Sequence, residues 1–164
     1  MTIKINNLTT ADWQRFKKIR LLSLQNSPDA FGSTYVEVVS RPDSSWIAQI
    51  SELPTFIGSI NGVDLGVIRL AVDQDNPSDC WLLLMWVGPQ ARGRGLGDKL
   101  VVALVEWAKN NDFKRVLLDV GDYNTHAIGL YTRNGFKPSG VTGNLPAPRD
   151  DVKELQMELV LSSL

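Results

Sequence analysis

The segment from Cys80 to Ala108 constrains this chain more than any other, because an apolar run, a basic glycine-rich turn and an amphipathic helix follow in close succession. Cys80-Trp81-Leu82-Leu83-Leu84-Met85-Trp86-Val87 has no helical spacing and reads as a strand covered on both faces. Beyond it, Leu96, Leu100, Leu104 and Ala108 recur every fourth residue with Val101 and Val105 beside them, so one helix face is apolar. The connecting turn, Gln90-Ala91-Arg92-Gly93-Arg94-Gly95-Leu96-Gly97, offers free backbone N–H groups. Glycines without Cβ let an anion come close to those amides, and the helix start adds about half a unit of positive charge. Such a turn is expected to hold phosphate.

Three phosphate-binding turns share this outline, and spacing separates them. A nucleotide P-loop needs Gly-Lys-Ser/Thr at the helix start, whereas Gly97 is followed by Asp98 and Lys99. The dinucleotide fingerprint Gly-x-Gly-x-x-Gly fails because the third glycine falls one residue early, leaving Asp98 where helix and strand must touch. Asp119 has the right spacing for a ribose ligand, but the turn is in mid-chain instead of after a first strand. The third pattern, Gln/Arg-x-x-Gly-x-Gly/Ala, fits Gln90-Ala91-Arg92-Gly93-Arg94-Gly95. It resembles the pyrophosphate loop of the GNAT superfamily of acyl-CoA-dependent N-acetyltransferases. Farther along, Asn124-Thr125-His126-Ala127-Ile128-Gly129-Leu130-Tyr131-Thr132-Arg133-Asn134-Gly135-Phe136 resembles that family's Asn-x-x-Ala-x-x-Leu-Tyr-x-x-x-Gly-Phe. The two motifs stand in the family's order and spacing, and with their strands they cover about half the chain.

The length of 164 residues, with 43% hydrophobic and 21% charged residues, suits one domain spanning residues 1–164 with a single core. A net charge of −1 gives no basic field for nucleic acid or an anionic membrane. The start Met1-Thr2-Ile3-Lys4-Ile5-Asn6 lacks the apolar core of a signal peptide, so the chain is expected in the cytoplasm. Cys80, the lone cysteine, reads as a small buried hydrophobe, and no His, Cys or carboxylate cluster has metal-ligand spacing.

Ile3 and Ile5 open a strand, Thr9-Thr10 are candidate caps for a helix carrying Trp13, Phe16, Ile19, Leu22 and Leu24, and Arg41-Pro42-Asp43 starts another with Trp46, Ile47, Ile50 and Leu53. Thr55–Ile60 and Val63–Ala71 flank Asn61-Gly62, a tight-hairpin signal, and 73–79 reads as a solvated loop. Arg115–Val120 is a strand, Asn124 caps a helix that Gly135 ends, and Phe136–Val141 and Leu155–Leu161 close the chain around a loop at Thr142–Asp151. The expected fold is α/β of the α+β kind: a mixed, mostly antiparallel sheet with helices on both faces. The resemblance implies the same order.

The resemblance also assigns chemistry. It implies acetyl-CoA as co-substrate and no metal, with the pantetheine arm on the backbone of Met85, Trp86 and Val87 where that strand splays from the next. The Val87 N–H would polarise the thioester carbonyl, and Gly88-Pro89 fits a strand forced to change direction. Gln90, Arg92, Gly93, Arg94, Gly95, Leu96 and Gly97 would take the pyrophosphate, with Asn124 and Ala127 near the CoA arm. Tyr131 matches the tyrosine that protonates the departing thiolate, a task suited to a phenol of pKa about 10. Many relatives carry a glutamate on the strand before the loop; Cys80–Val87 has no carboxylate. Asp119, twelve residues before Tyr131, takes the place of a glutamate proposed as base in ribosomal-protein acetyltransferases, and would act through water. Its other role is a strand-end carboxylate bonding nearby amides. His126 reads as a solvent-facing first-turn residue.

The implied partner is an amine acceptor, a small molecule, amino acid or peptide N-terminus, with a homodimer left open. It would enter between Phe31–Tyr35 and Thr142–Asp151, where Tyr35, Glu37, Asp150 and Asp151 could attract a cation. A non-catalytic acyl-CoA-binding regulatory module is the alternative that the carboxylate-free strand leaves open.

Overall fold

The structure, a computed structural model, describes residues 1–161, and these form one seven-stranded sheet between two helical layers. The strands are β1 (Ile3–Asn7), β2 (Thr55–Ile60), β3 (Val63–Val72), β4 (Asp79–Val87), β5 (Arg115–Gly121), β6 (Lys137–Asn144) and β7 (Lys153–Val160). Their order is β1-β2-β3-β4-β5-β7-β6, and only β4 and β5 run parallel. Helices α1 (Trp13–Asn26), α2 (Tyr35–Val39) and α3 (Asp43–Glu52) share an apolar cluster on one face. Helices α4 (Leu96–Asn110) and α5 (Thr125–Arg133) cover the other. This is the mixed, mostly antiparallel sheet the sequence implied.

Local chemistry explains most boundaries. Asn61 and Gly62 both adopt positive φ, 50° and 83°, the backbone a two-residue hairpin turn requires. Asn124 accepts from the Ala127 N–H at 3.1 Å and starts α5. Thr9 joins Asp12 in a capping box, but around a short 3-10 turn, so α1 begins at Trp13. Helix α2 lies between the two helices read from the sequence; its five residues are too few for apolar periodicity, and a Thr34–Glu37 capping box starts it. Strand β6 runs to Asn144, beyond the expected Val141, because Thr142, Gly143 and Asn144 pair with Leu155, Glu154 and Lys153.

The amphipathic face read from the sequence is the one α4 buries: Leu96, Leu100, Val101, Leu104 and Ala108 all lie in the core. Their approach to the sheet depends on bare backbone beneath them. A Cβ at Gly66 would lie 2.8 Å from Leu100 Cδ1 and 3.2 Å from Leu96 Cδ2. Gly66→Val therefore overpacks the α4–β3 contact at an expected cost of about 2 kcal/mol. Thermal unfolding should show a Tm lower by roughly 4–8 °C; an unchanged Tm would mean that α4 is not seated on this strand.

Candidate active site

Strands β4 and β5 pair at only three positions, Asp79↔Arg115, Cys80↔Val116 and Trp81↔Leu117, and then part. Arg115 fixes the joined end: its guanidinium meets buried Asp79 at 2.7 Å and Glu158 of β7 at 2.8 Å, tying three strands together. Beyond Trp81 each strand keeps its partner on the far side, β3 or β7, so the sheet contains a slot.

A bulge in β4 shapes the slot's wall. The β3–β4 register jumps from Arg69↔Leu83 to Val67↔Trp86, and Leu84 sits at φ 61°, a left-handed conformation costing about 1 kcal/mol or more for a branched side chain. The extra residue turns Leu84 and Trp86 toward the α1–α3 layer and Met85 and Val87 toward α4. Gly88 N–H donates to Leu65 O at 2.7 Å, so by antiparallel alternation the amide of Val87 points away from β3 and into the slot. The sequence contained no glycine or asparagine to signal this bulge.

The glycine-rich turn lies just beyond. After a short 3-10 turn at Pro89–Ala91, Gly93 and Gly95 adopt φ 78° and 85°, and a Cβ on either would meet nothing within 4 Å. Their openness is on the solvent side, where an anion could lie. The amides of Gly93, Arg94, Gly95, Leu96 and Gly97 find no backbone acceptor among the described residues. Individual side chains do different work. Leu96 is buried in the core and offers only its N–H; Gly97 packs beneath Leu130 and Met85, 3.3 and 3.4 Å from its Cβ position. Gln90 folds back toward Gly88. Arg92 Nε donates to Val87 O at 3.0 Å, bracing the strand end, while Arg94 is exposed. Asp98, the acidic residue of the helix start, is held by Arg133 at 3.1 Å and Asn134 at 3.0 Å, which offsets its charge and ties α4 to α5.

Tyr131 and Asp119 lie on opposite faces of the sheet. Tyr131 is buried in the α4-side cluster, edge-on to Phe136 at 5.9 Å, and burial raises its pKa. In β5, Val116, Leu118 and Val120 face that same cluster, so alternation turns Asp119 to the α1–α3 side. There its pKa is raised by loss of solvent, and Glu154 of β7 is raised by the same cause and by the Asp119 charge. Glu154 was missed in the sequence because only the register Asp119↔Gln156 and Gly121↔Glu154 brings it beside Asp119.

The expected acceptor entrance is bound together differently from its charge pattern. Arg149 donates to the carbonyls of Pro28 and Gly32, at 2.8 Å each, and to that of Phe31, joining the β6–β7 loop to the α1–α2 loop. Tyr123 Oη reaches Asp29 O at 3.2 Å from the β5–α5 turn. Glu37 is occupied by its capping box, while Asp150 and Asp151 are exposed and Tyr35 is half-buried. His126 is exposed, and burial pushes the Cys80 thiol up to about 12, which makes it a poor nucleophile. Among the described residues no group of three or more His, Cys, Asp or Glu could hold a metal, and no helix is long and apolar enough to cross a membrane.

Comparison with known proteins agrees with this geometry. The family model described as acetyltransferase (GNAT) family matches residues 16–136, and the chain belongs to that family. It is 37% identical over 70 residues to the spermine/spermidine N(1)-acetyltransferase of Bacillus subtilis, covering 42% of this chain and 46% of that one. The matched stretch thus spans less than half the length of that curated relative. An acetyltransferase of the GNAT family from Streptococcus pneumoniae superposes with a TM-score of 0.83 at 18% identity, covering 98% of this chain and 100% of the other. The structure of yncA from Salmonella typhimurium with its cofactor acetyl-CoA gives 0.82 at 17% identity, covering 100% and 96%. At such identities the superpositions show the fold.

The raised carboxyl pair makes a testable claim about stability. A carboxyl whose pKa is higher folded than unfolded favours its protonated form in the fold, so it destabilises increasingly as pH rises above the ordinary carboxylate value. Asp119→Asn should therefore raise Tm at pH 8, with the gain vanishing near pH 3, where the parent carboxyl is protonated in both states. A Tm loss at pH 8 would show instead that Asp119 is a strand-end carboxylate held by hydrogen bonds.

Proposed function

We propose that this member of the acetyltransferase (GNAT) family transfers the acetyl group of acetyl-CoA to a primary amine of a small molecule, amino acid or peptide N-terminus, by direct attack of the amine on the thioester. The observation that carries the reading is the slot between β4 and β5, with the anion-ready turn following β4 at its mouth; Tyr131 and Asp119 face opposite sides of the sheet. The open amides of Gly93 to Gly97 would hold the pyrophosphate, Met85 to Val87 would supply backbone partners for the pantetheine arm, and Asn124 and Ala127 at the start of α5 would flank it.

The protein groups then divide the reaction. The Val87 N–H stabilises negative charge developing on the thioester oxygen. An alkylammonium of pKa near 10.4 is only about 0.04% neutral at pH 7, a cost of roughly 4–5 kcal/mol, and Asp119 takes its proton through water. The raised pKa of Asp119 makes it a better base than an ordinary carboxylate. As the amine nitrogen bonds to the carbonyl carbon, the C–S bond breaks and the thiolate needs a partner. Tyr131, kept protonated by burial, donates to that sulfur. Because its pKa exceeds the thiol's value of about 8–9, it serves chiefly as a hydrogen-bond donor in the transition state, and the thiol's final proton comes from the amine by way of solvent. The carboxylate-free run Cys80–Val87 is the feature that favours the second reading, an acyl-CoA-binding module without turnover.

Calorimetry with acetyl-CoA should show binding that Gly95→Glu abolishes without unfolding, since a side chain and a negative charge would occupy the anion position; wild-type affinity in that variant would place the ligand elsewhere. Amine-dependent thiol release separates enzyme from binding module, which would show none. Tyr131→Phe should lower kcat about tenfold or more with acetyl-CoA affinity nearly intact, because the departing thiolate loses its hydrogen-bond donor. An unchanged kcat would reduce Tyr131 to a packing residue.

A further inference from the structure

The α1–α3 layer buries a charge that finds no partner among the described residues. Arg20, on the inner face of α1, is 6% exposed. Among the described residues its guanidinium has no ion pair, and Nη1 is shut away from solvent with no hydrogen-bond partner. Burial, and then the nearby Arg41 charge, lower its pKa to about 10, so it remains cationic at neutral pH. Its close contact is Phe31, whose ring centroid lies 4.6 Å from Cζ. In the same apolar cluster the indole Nε1 of Trp46 is also unbonded. Two buried donors thus lack an acceptor.

Several other arginines in this molecule find acceptors for at least part of the guanidinium, carboxylates or, for Arg69 and Arg149, backbone carbonyls. Arg15 makes a bidentate pair with Asp64 at 2.9 and 3.0 Å, and Arg115 holds Asp79 and Glu158. An unpaired buried charge is costly, and a cation–π contact offsets only part of that cost. Phe31 covers one face of the Arg20 guanidinium, and no hydrogen bond to the N–H edge is found among the described residues. Phe31 also connects Arg20 to the acceptor entrance, because its carbonyl is held by Arg149 and its ring shares a cluster with Trp86, the neighbour of Val87.

We propose that Arg20 is the anion-reading residue of the acceptor site, and that the acceptor is an amine carrying a carboxylate which the Arg20 N–H edge binds. The identity of the anion's carrier rests on the acetyltransferase reading; the anion site itself does not. A carboxylate accepts two parallel N–H groups from a guanidinium, which would satisfy the orphaned Nη1 and neutralise the buried charge together. Asp119 and Glu154, with carboxyls on the same side of the sheet, suit the ammonium end of such a zwitterion. The acceptor chemistry thus shifts from polycations, suggested by the charges at Glu37, Asp150 and Asp151, toward amino acids.

Two measurements test this. Sodium acetate, titrated at constant ionic strength with sodium chloride, should raise the Tm of the wild-type chain saturably and leave Arg20→Met unmoved; equal shifts in both proteins would overturn the site. Thiol release from acetyl-CoA with glycine and glycinamide, and leucine and leucinamide, should favour the free carboxylates at least tenfold in kcat/KM, mostly through KM. Arg20→Met should erase that preference with acetyl-CoA affinity unchanged, and Arg20→Lys should restore part of it. A wild-type preference for the amides, or an undiminished carboxylate preference in Arg20→Met, would reject the assignment. If none of these amines produced thiol release, the acetyltransferase reading would fail, and the acetate arm would still decide whether Arg20 binds an anion. Replacing an unpaired buried charge by methionine is expected to keep or raise stability; if that variant fails to fold, Arg20→Gln takes its place in both arms.

Discussion

The parting of β4 from β5 after three paired residues is the constraint on which the site depends. A closed parallel pair would bury every strand amide in ladder hydrogen bonds and leave nothing to bind a ligand. Arg115 holds the joined end by gripping Asp79 and Glu158, so the separation begins at a fixed point. The bulge at Leu84 then restarts the alternation, keeping Trp86 under α1 and setting the Val87 amide toward the gap. The strain stored at Leu84 is retained because packing on both sides determines it: Met85 and Val87 in one cluster, Trp86 in the other.

With the slot in place, the two faces of the sheet acquire different duties. The α4–α5 face carries the anion-ready turn and Tyr131, and the Asp98 contacts to Arg133 and Asn134 lock those two helices together. The opposite face carries Asp119, Glu154 and the loops joined through Arg149 and Tyr123. A donor from one side and an acceptor from the other can meet only through the gap, which makes the order of groups across the sheet a consequence of topology. Charge would follow the same division in the proposed function: backbone dipoles would face the phosphates, carboxyls the amine, and the buried Arg20 would mark where an acceptor's anionic group sits.

The features legible in the sequence were those with local causes. The glycine turn, the Asn61-Gly62 hairpin, the Asn124 cap and the apolar face of α4 each depend on residues within a few positions of one another. Three others required pairing that no local pattern encodes. The Leu84 bulge arises from a register mismatch with β3 inside a run of similar apolar residues. Glu154 reaches Asp119 only because β7 lies between β5 and β6. Arg20 reads as an ordinary helix-surface residue until the helix packing closes over it. Glu37, read from the sequence as able to attract a cation, also caps α2, a role that depends on Thr34 three residues away.

The central claim is that acyl-CoA lies across the mouth of the slot and on the turn beyond it. Amide hydrogen exchange with and without acetyl-CoA tests this most directly, because the N–H groups of Val87 and of Gly93 to Gly97 have no backbone acceptor among the described residues and are exchange-competent in the fold as it stands. Acetyl-CoA should slow exchange across Val87–Gly97 and at the start of α5, while leaving the β1–β2 pair unchanged. Uniform protection throughout the chain, or none in the glycine turn, would contradict the account.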